Sequence, residues 1–192
     1  SGSLDSTFNG TGIVTTSIGS ASSGNDVTIQ PDGKIVVAGW SNSGGNNKFA
    51  VARYHSGGNL DSTFGTNGIV TTTINNIADY GNAVTLQPDG KIIVTGYSWS
   101  PRYLSTGFAA TDLTVVRYNN DGSLDTTFNG SGIVTTTIDT GRNEGWAIAL
   151  QPNDGKIAVA GLSQSAGGNS VFAVVRYISN RSVYLPNIVK NN

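Results

Sequence analysis

The chain repeats itself three times, and a fixed repeat leaves few folds open. Leu4-Asp5-Ser6-Thr7-Phe8 returns as Leu60-Asp61-Ser62-Thr63-Phe64 and as Leu124-Asp125-Thr126-Thr127-Phe128. Gly-Ile-Val-Thr-Thr follows each time, from Gly12, Gly68 and Gly132. Gln30-Pro31-Asp32-Gly33-Lys34 returns at Gln87 and, with one residue inserted, at Gln151. Arg53-Tyr54 returns as Arg117-Tyr118 and Arg176-Tyr177. A period of this length means one supersecondary unit stacked on copies of itself. It also supplies a test: what every repeat carries is architecture, and what one repeat holds alone is a candidate for function.

Each unit reads as four strands. The first is Gly12–Ile18, with Gly68–Ile74 and Gly132–Ile138, rich in β-branched residues that suit a pleated surface. The second is Asn25–Gln30, with Asn82–Gln87 and Trp146–Gln151. A Pro-Asp-Gly turn leads to the third at Lys34–Trp40, Lys91–Tyr97 and Lys156–Leu162. Asp-Gly between apolar runs is a hairpin signal because glycine accepts positive φ. Phe49–Tyr54, Leu113–Tyr118 and Phe172–Tyr177 form the fourth. No stretch sustains a helical period. The expectation is an all-β fold of three four-stranded antiparallel units arranged as β-propeller-like blades. A β-trefoil or β-prism-like threefold arrangement is the alternative.

The domain divides into units of about 3–54, 59–118 and 123–178 within residues 1–178, followed by a tail, 179–192. Because the chain opens in mid-repeat at Ser1-Gly2-Ser3-Leu4, we expect that residues before Ser1 were removed. Three blades are too few for the usual ring of roughly four to eight. Open sheet edges template further pairing. The first unit lacks a preceding fourth strand and the last lacks a following Leu-Asp-x-Thr-Phe, so the two ends are complementary. Joined within one chain they would close a ring, joined between chains they would give closed rings or open filaments, and the remaining alternative is that the chain is part of a longer array.

Composition narrows the partners. The 192 residues hold only 12% charged residues and a net charge of −1, so nucleic acid and membrane insertion are not expected. No run approaches the ~18 apolar residues of a membrane-spanning helix. Cysteine is absent, which removes disulfides and thiolate metal sites.

The motifs Leu-Asp-x-Thr-Phe-x-x-x-Gly-Ile-Val, Ala-x-x-Leu-Gln-Pro-Asp-Gly-Lys-Ile-x-Val-x-Gly and Val-x-Arg-Tyr resemble the delta-60 repeat, an uncharacterised bacterial repeat of β-propeller type. The resemblance covers nearly all of residues 3–178. It implies a large secreted or surface protein with more repeats than three, no enzyme activity and no agreed ligand.

Candidate sites follow from the repeat test. Arg53, Arg117 and Arg176 lie in line with core residues and need carboxylate partners. Asp5, Asp61 and Asp125 are the candidates for an inter-repeat clamp present in every unit. Trp99, Arg102, Tyr103 and Phe108 belong to the long middle hairpin and are candidates for binding or subunit contact, since flat aromatic faces suit sugars and proteins. Val183, Tyr184, Leu185, Ile188 and Val189 make the tail apolar around Pro186, which suits either a cap or a strand added to a neighbour's edge. Asn9, Asn129 and Asn180 fit the N-glycosylation pattern. His55, the only histidine, reads as a surface turn residue, and no catalytic, metal or cofactor site is expected. Asn119–Asp125 carries two acids but no established calcium-loop pattern. The expected role is a non-catalytic, extracellular or cell-surface structural module whose main partner is itself, as protomer of a fibre or ring. The alternative is a lectin-like propeller module that binds a glycan or a surface protein in adhesion.

Overall fold

A computed structural model of the protein describes residues 2–103 and 109–179. It is all-β and antiparallel. The first sheet runs β1 (Ala21–Ile29), β2 (Ile35–Ser43), β3 (Asn46–Tyr54) and β4 (Ile69–Thr72). The second repeats this with β5 (Asp79–Leu86), β6 (Ile92–Tyr103), β7 (Ala109–Tyr118) and β8 (Ile133–Thr136). The third holds β9 (Asn143–Leu150), β10 (Ile157–Gln164) and β11 (Ser170–Tyr177). Each is a blade of a β-propeller, packed face to face on its sequence neighbour, and not a trefoil or prism.

The blade is offset from the sequence unit. The expected first strand, Gly-Ile-Val-Thr-Thr, is not the inner strand of its own unit's sheet. It completes the sheet of the unit before, pairing as β3–β4 and β7–β8. The cause is local. The Leu-Asp-x-Thr-Phe segment closes a turn in which Asp61 N–H donates to the Arg53 carbonyl at 2.9 Å and Gly68 N–H to the Phe64 carbonyl at 2.8 Å. The chain therefore returns antiparallel to the Arg-Tyr strand it has just left. Among the described residues no Arg-Tyr strand stands ahead of the first such segment. Residues 13–18 accordingly form no strand, and the described residues hold eleven strands instead of the twelve expected.

The Pro-Asp-Gly turns behave as their chemistry requires. Gly33 and Gly90 adopt φ of 82° and 86°, and Gln30 and Gln87 N–H donate across the turn to Lys34 and Lys91 carbonyls at 2.8 Å. A second glycine in each unit answers a different need. At Gly96 an added Cβ would stand 1.8 Å from the Tyr80 carbonyl oxygen, where β5 bulges against β6. The same contact recurs at Gly39 and Gly161.

Two cores sit between the three sheets. Val36, Ala38, Phe49 and Val51 of the first sheet meet Val84 and Val94 of the second. Ile93, Leu113 and Val115, on the second sheet's other face, meet Ile157 and Val159 of the third. Burying each large side chain contributes roughly 1.5–3 kcal/mol, so the blade–blade faces hold most of the hydrophobic stabilisation. Bulge residues add a polar stitch: Asn25 Nδ2 donates to the Gly81 carbonyl and Asn82 Nδ2 to the Gly145 carbonyl, both at 2.8 Å.

Candidate functional site

The three arginines of the Arg-Tyr strands occupy two different states. Arg53 and Arg117 are buried on the blade face, in line with Val51 and Val115. Arg53 Nε lies 2.9 Å from Asp61 Oδ2, and Arg117 Nε 2.7 Å from Asp125 Oδ2. The guanidinium carbons stand 4.7 and 4.6 Å from the ring centres of Phe64 and Phe128, a cation–π contact. Each clamp ties the end of one sequence unit to the start of the next. Arg176, the third of the set, is exposed. It keeps the hydrogen bond to Gln151 Oε1 at 3.4 Å that Arg117 makes to Gln87, and among the described residues it has no ion pair equivalent to the other two.

The carboxylates are prepared for the arginines. Thr63 N–H and Oγ1–H donate to Asp61 Oδ1 at 3.0 and 2.6 Å, leaving Oδ2 for Arg53. Thr127 does the same for Asp125, whose Oδ2 also meets Lys91 Nζ at 3.0 Å. Burial pushes both carboxyls up. The threonine hydrogen bonds and the adjacent cations outweigh it and hold each at about 2. Asp5 makes the same pair of bonds with Thr7, at 2.9 and 2.6 Å, which hold its carboxyl below the usual range. It is exposed and, among the described residues, receives no arginine.

The outer faces of the terminal blades mirror this. Phe49 and Leu113 are fully buried between blades, yet Phe172 at the same position of β11 is 99% exposed. Val51 and Val115 are fully buried, and their counterpart Val174 is 75% exposed. Trp146 stands at the β9 bulge, where Asn25 and Asn82 stand in the other sheets, and is 53% exposed. Trp146, Ala160, Leu162, Val171 and Phe172 line an open apolar groove on this face. On the first sheet's outer face, Val27 and Ile29 are 56% and 58% exposed where Val84 and Leu86 of the second sheet pack inward.

The other candidates are placed as follows. Trp99 is partly exposed on β6, its backbone N–H donating to Ala78 and its carbonyl accepting from Asn75. Arg102 is engaged with Asp112 across the same hairpin, and Thr137 Oγ1 donates to that carboxylate at 2.6 Å. Tyr103 ends β6, its backbone opposite Ala109. Phe108 lies outside the described residues, as do Asn180 and the tail residues Val183, Tyr184, Leu185, Ile188 and Val189. Asn9 and Asn129 occupy left-handed turn positions, and each side-chain amide donates to the carbonyl four residues on, at 2.9 Å. A glycan on either would displace that bond. His55 Nε2 stands 3.6 Å from Asp61 Oδ1, beside the clamp. Asp121 Oδ1 accepts from Ser123 N–H and Oγ–H at 2.9 and 2.6 Å, a turn arrangement. Among the described residues no three His, Cys, Asp or Glu side chains cluster to hold a metal ion, and no helix is long and apolar enough to cross a membrane.

Sequence reading singled out Arg176 and Asp5 but not the apolar faces beside them. The signal was present. Among the described residues three such apolar repeat faces form two interfaces, and Phe172 and Val174 belong to the third face.

A family model described as a domain of unknown function (DUF5122), beta-propeller, matches residues 30–64, 87–128 and 153–180, together more than half of the chain. Each match begins at or within the Pro-Asp-Gly hairpin, and the first two end on the Leu-Asp-x-Thr-Phe phenylalanine, so they span the clamp. No curated protein matches the chain.

Proposed function

Since the chain belongs to the DUF5122 beta-propeller family, we propose that it is a non-catalytic structural module whose blades associate with those of further molecules. The observation that carries this is the uncovered face of the third sheet. Phe172 and Val174 stand in solvent at positions that are fully buried in both other sheets. An apolar patch of this kind marks an interaction surface. Within this reading the repeat is the delta-60 repeat, the setting is extracellular or the bacterial cell surface, and the product is a fibre or an oligomeric ring. Four of the six motif arginines and aspartates are taken up by the two buried clamps, which supports a structural role for the motif.

Sedimentation and electron microscopy over a wide concentration range test the proposal. Discrete oligomers or filaments are expected. A chain that stays monomeric throughout would remove it. The second reading, a lectin-like module, rests on Trp99, which is 39% exposed on the longest hairpin. Saturable glycan binding that is lost in Trp99→Ala would favour it.

A further inference from the structure

We infer that two molecules join head to tail by strand addition: Gly12–Thr16 of one becomes the fourth strand of the other's third sheet, and Asp5 closes a clamp on Arg176. This specifies the joint of the assembly proposed above and rests on that reading.

The register comes from the two complete sheets. Phe49 pairs Thr72 and Val51 pairs Val70; Leu113 pairs Thr136 and Val115 pairs Val134. Carried to β11, the same register sets Phe172 against Thr16, Ala173 against Thr15 and Val174 against Val14. β11 has its outer edge unpaired among the described residues. An unpaired edge offers a row of backbone donors and acceptors to an extended segment.

The incoming segment is already held for this task. Tyr54 Oη–H donates to Thr16 Oγ1 at 2.7 Å, as the Tyr118 and Tyr177 hydroxyls meet Thr72 and Thr136 at 2.7 Å. Thr72 and Thr136 are the last residues of β4 and β8. Thr16 therefore sits against the first sheet as those strands sit against the second and third. Asn9 N–H donates to the Gly57 carbonyl at 3.0 Å, the counterpart of Gly65 N–H to Asp121 at 2.8 Å. Residues 13–18 thus take the place of the outermost strand of a blade that precedes the first.

Charge and shape agree. Asp5 carries its Thr7 bonds on Oδ1, as Asp61 and Asp125 do, and the oxygen that meets arginine elsewhere faces solvent. Arg176 is exposed and, among the described residues, lacks the buried aspartate partner of Arg53 and Arg117, although its charge helps hold the exposed Asp154 carboxyl down. Docking brings Val27 and Ile29 of one molecule toward Phe172 and Val174 of the other, the pairing by which Val84 meets Phe49 and Val51 inside the core. One feature differs. Trp146 replaces the stitching asparagine, so this joint exchanges a hydrogen bond for an indole face. The occupant is a second molecule because the first and third sheets each pack on the second, which leaves their outer faces on opposite sides of the stack.

The chain has no cysteine, so introduced thiols report the joint cleanly. Thr15→Cys and Ala173→Cys are made in separate full-length chains. Mixed under mild oxidation they are expected to give a covalent dimer that neither forms alone. In parallel, Arg176→Asp and Asp5→Arg, both at exposed positions, are each expected to weaken self-association at least about tenfold, and the double variant to restore it. Wild-type assembly with no mixed disulfide and no effect of either charge reversal overturns this joint and leaves the assembly proposal standing. A wild-type chain that remains monomeric overturns both.

Discussion

Arg117 Nε stands 2.7 Å from Asp125 Oδ2 with both side chains buried, although the two belong to successive repeats. The pair fastens the return of the chain from β7 to β8. Removing one member strands the other's charge in the interior, and the cost of that exceeds the worth of the pair itself. Asp125→Ala is expected to lose about 3–5 kcal/mol in denaturant unfolding. Asp5→Ala, at the exposed counterpart, should leave the stability of the isolated molecule within about 0.5 kcal/mol. Equal losses in the two variants would mean that the clamp is not what distinguishes them.

The clamps set the acid limit. Asp61 and Asp125 are held at about 2, below the roughly 3.9 of an unfolded aspartate. The unfolded chain therefore takes up protons first as pH falls. The stabilisation is complete above about pH 4 and is lost as pH drops toward 2. Stability measured from pH 5 to 2 should fall steeply, and the slope should shrink in Asp61→Asn.

Asp79 carries the opposite sign. It is fully buried, its Oδ2 accepts from Ile74 N–H at 2.8 Å with the Asn75 backbone also close by, and among the described residues Oδ1 has no well-formed hydrogen bond. Burial pushes its carboxyl up, against the backbone hydrogen bonds that lower it. The folded state thus favours the protonated form, and ionisation costs stability as pH rises from the unfolded value through the folded one. The third sheet has Asn143 at this position, whose Nδ2 donates to the Thr111 and Asp139 carbonyls. Asp79→Asn should raise the melting temperature at pH 7 and leave it unchanged near pH 3. A loss at pH 7 would show that the ionised carboxylate is satisfied in place.

Much of this was legible in the sequence. The repeats fix three of the four strands of each unit, and the Pro-Asp-Gly turns place the hairpins. Of the residues the Arg and Asp motifs single out, Arg53 meets Asp61 and Arg117 meets Asp125, while Arg176 and Asp5 have no such partner among the described residues. Which sheet the Gly-Ile-Val-Thr-Thr strand joins was not legible, because its β-branched pattern suits either neighbour. The turn around Asp61 decides, through backbone hydrogen bonds that residue identity does not announce. The bulges were hidden for the same reason: Asn25, Asn82 and Trp146 share a position but not a chemistry.

The glycines behind the bulges supply the last prediction. Gly96 lies where β6 passes the Tyr80 carbonyl, and any Cβ there would approach that oxygen to 1.8 Å. Neither partner is a flexible side chain, so relief requires the β5–β6 pairing to open. That pairing carries Tyr80 and Tyr97, whose rings stack at 5.0 Å. Overpacking in a closed interior costs typically about 1–3 kcal/mol, and backbone contact places Gly96→Ala at or beyond the upper end. Gly44→Ala, at a hairpin tip with nothing nearby but with φ of 76°, pays only local strain and should cost about 1 kcal/mol. Urea unfolding of the two variants separates close approach from conformational preference. Similar losses would mean that the strands relax around the new methyl group and that the glycine is retained for flexibility alone.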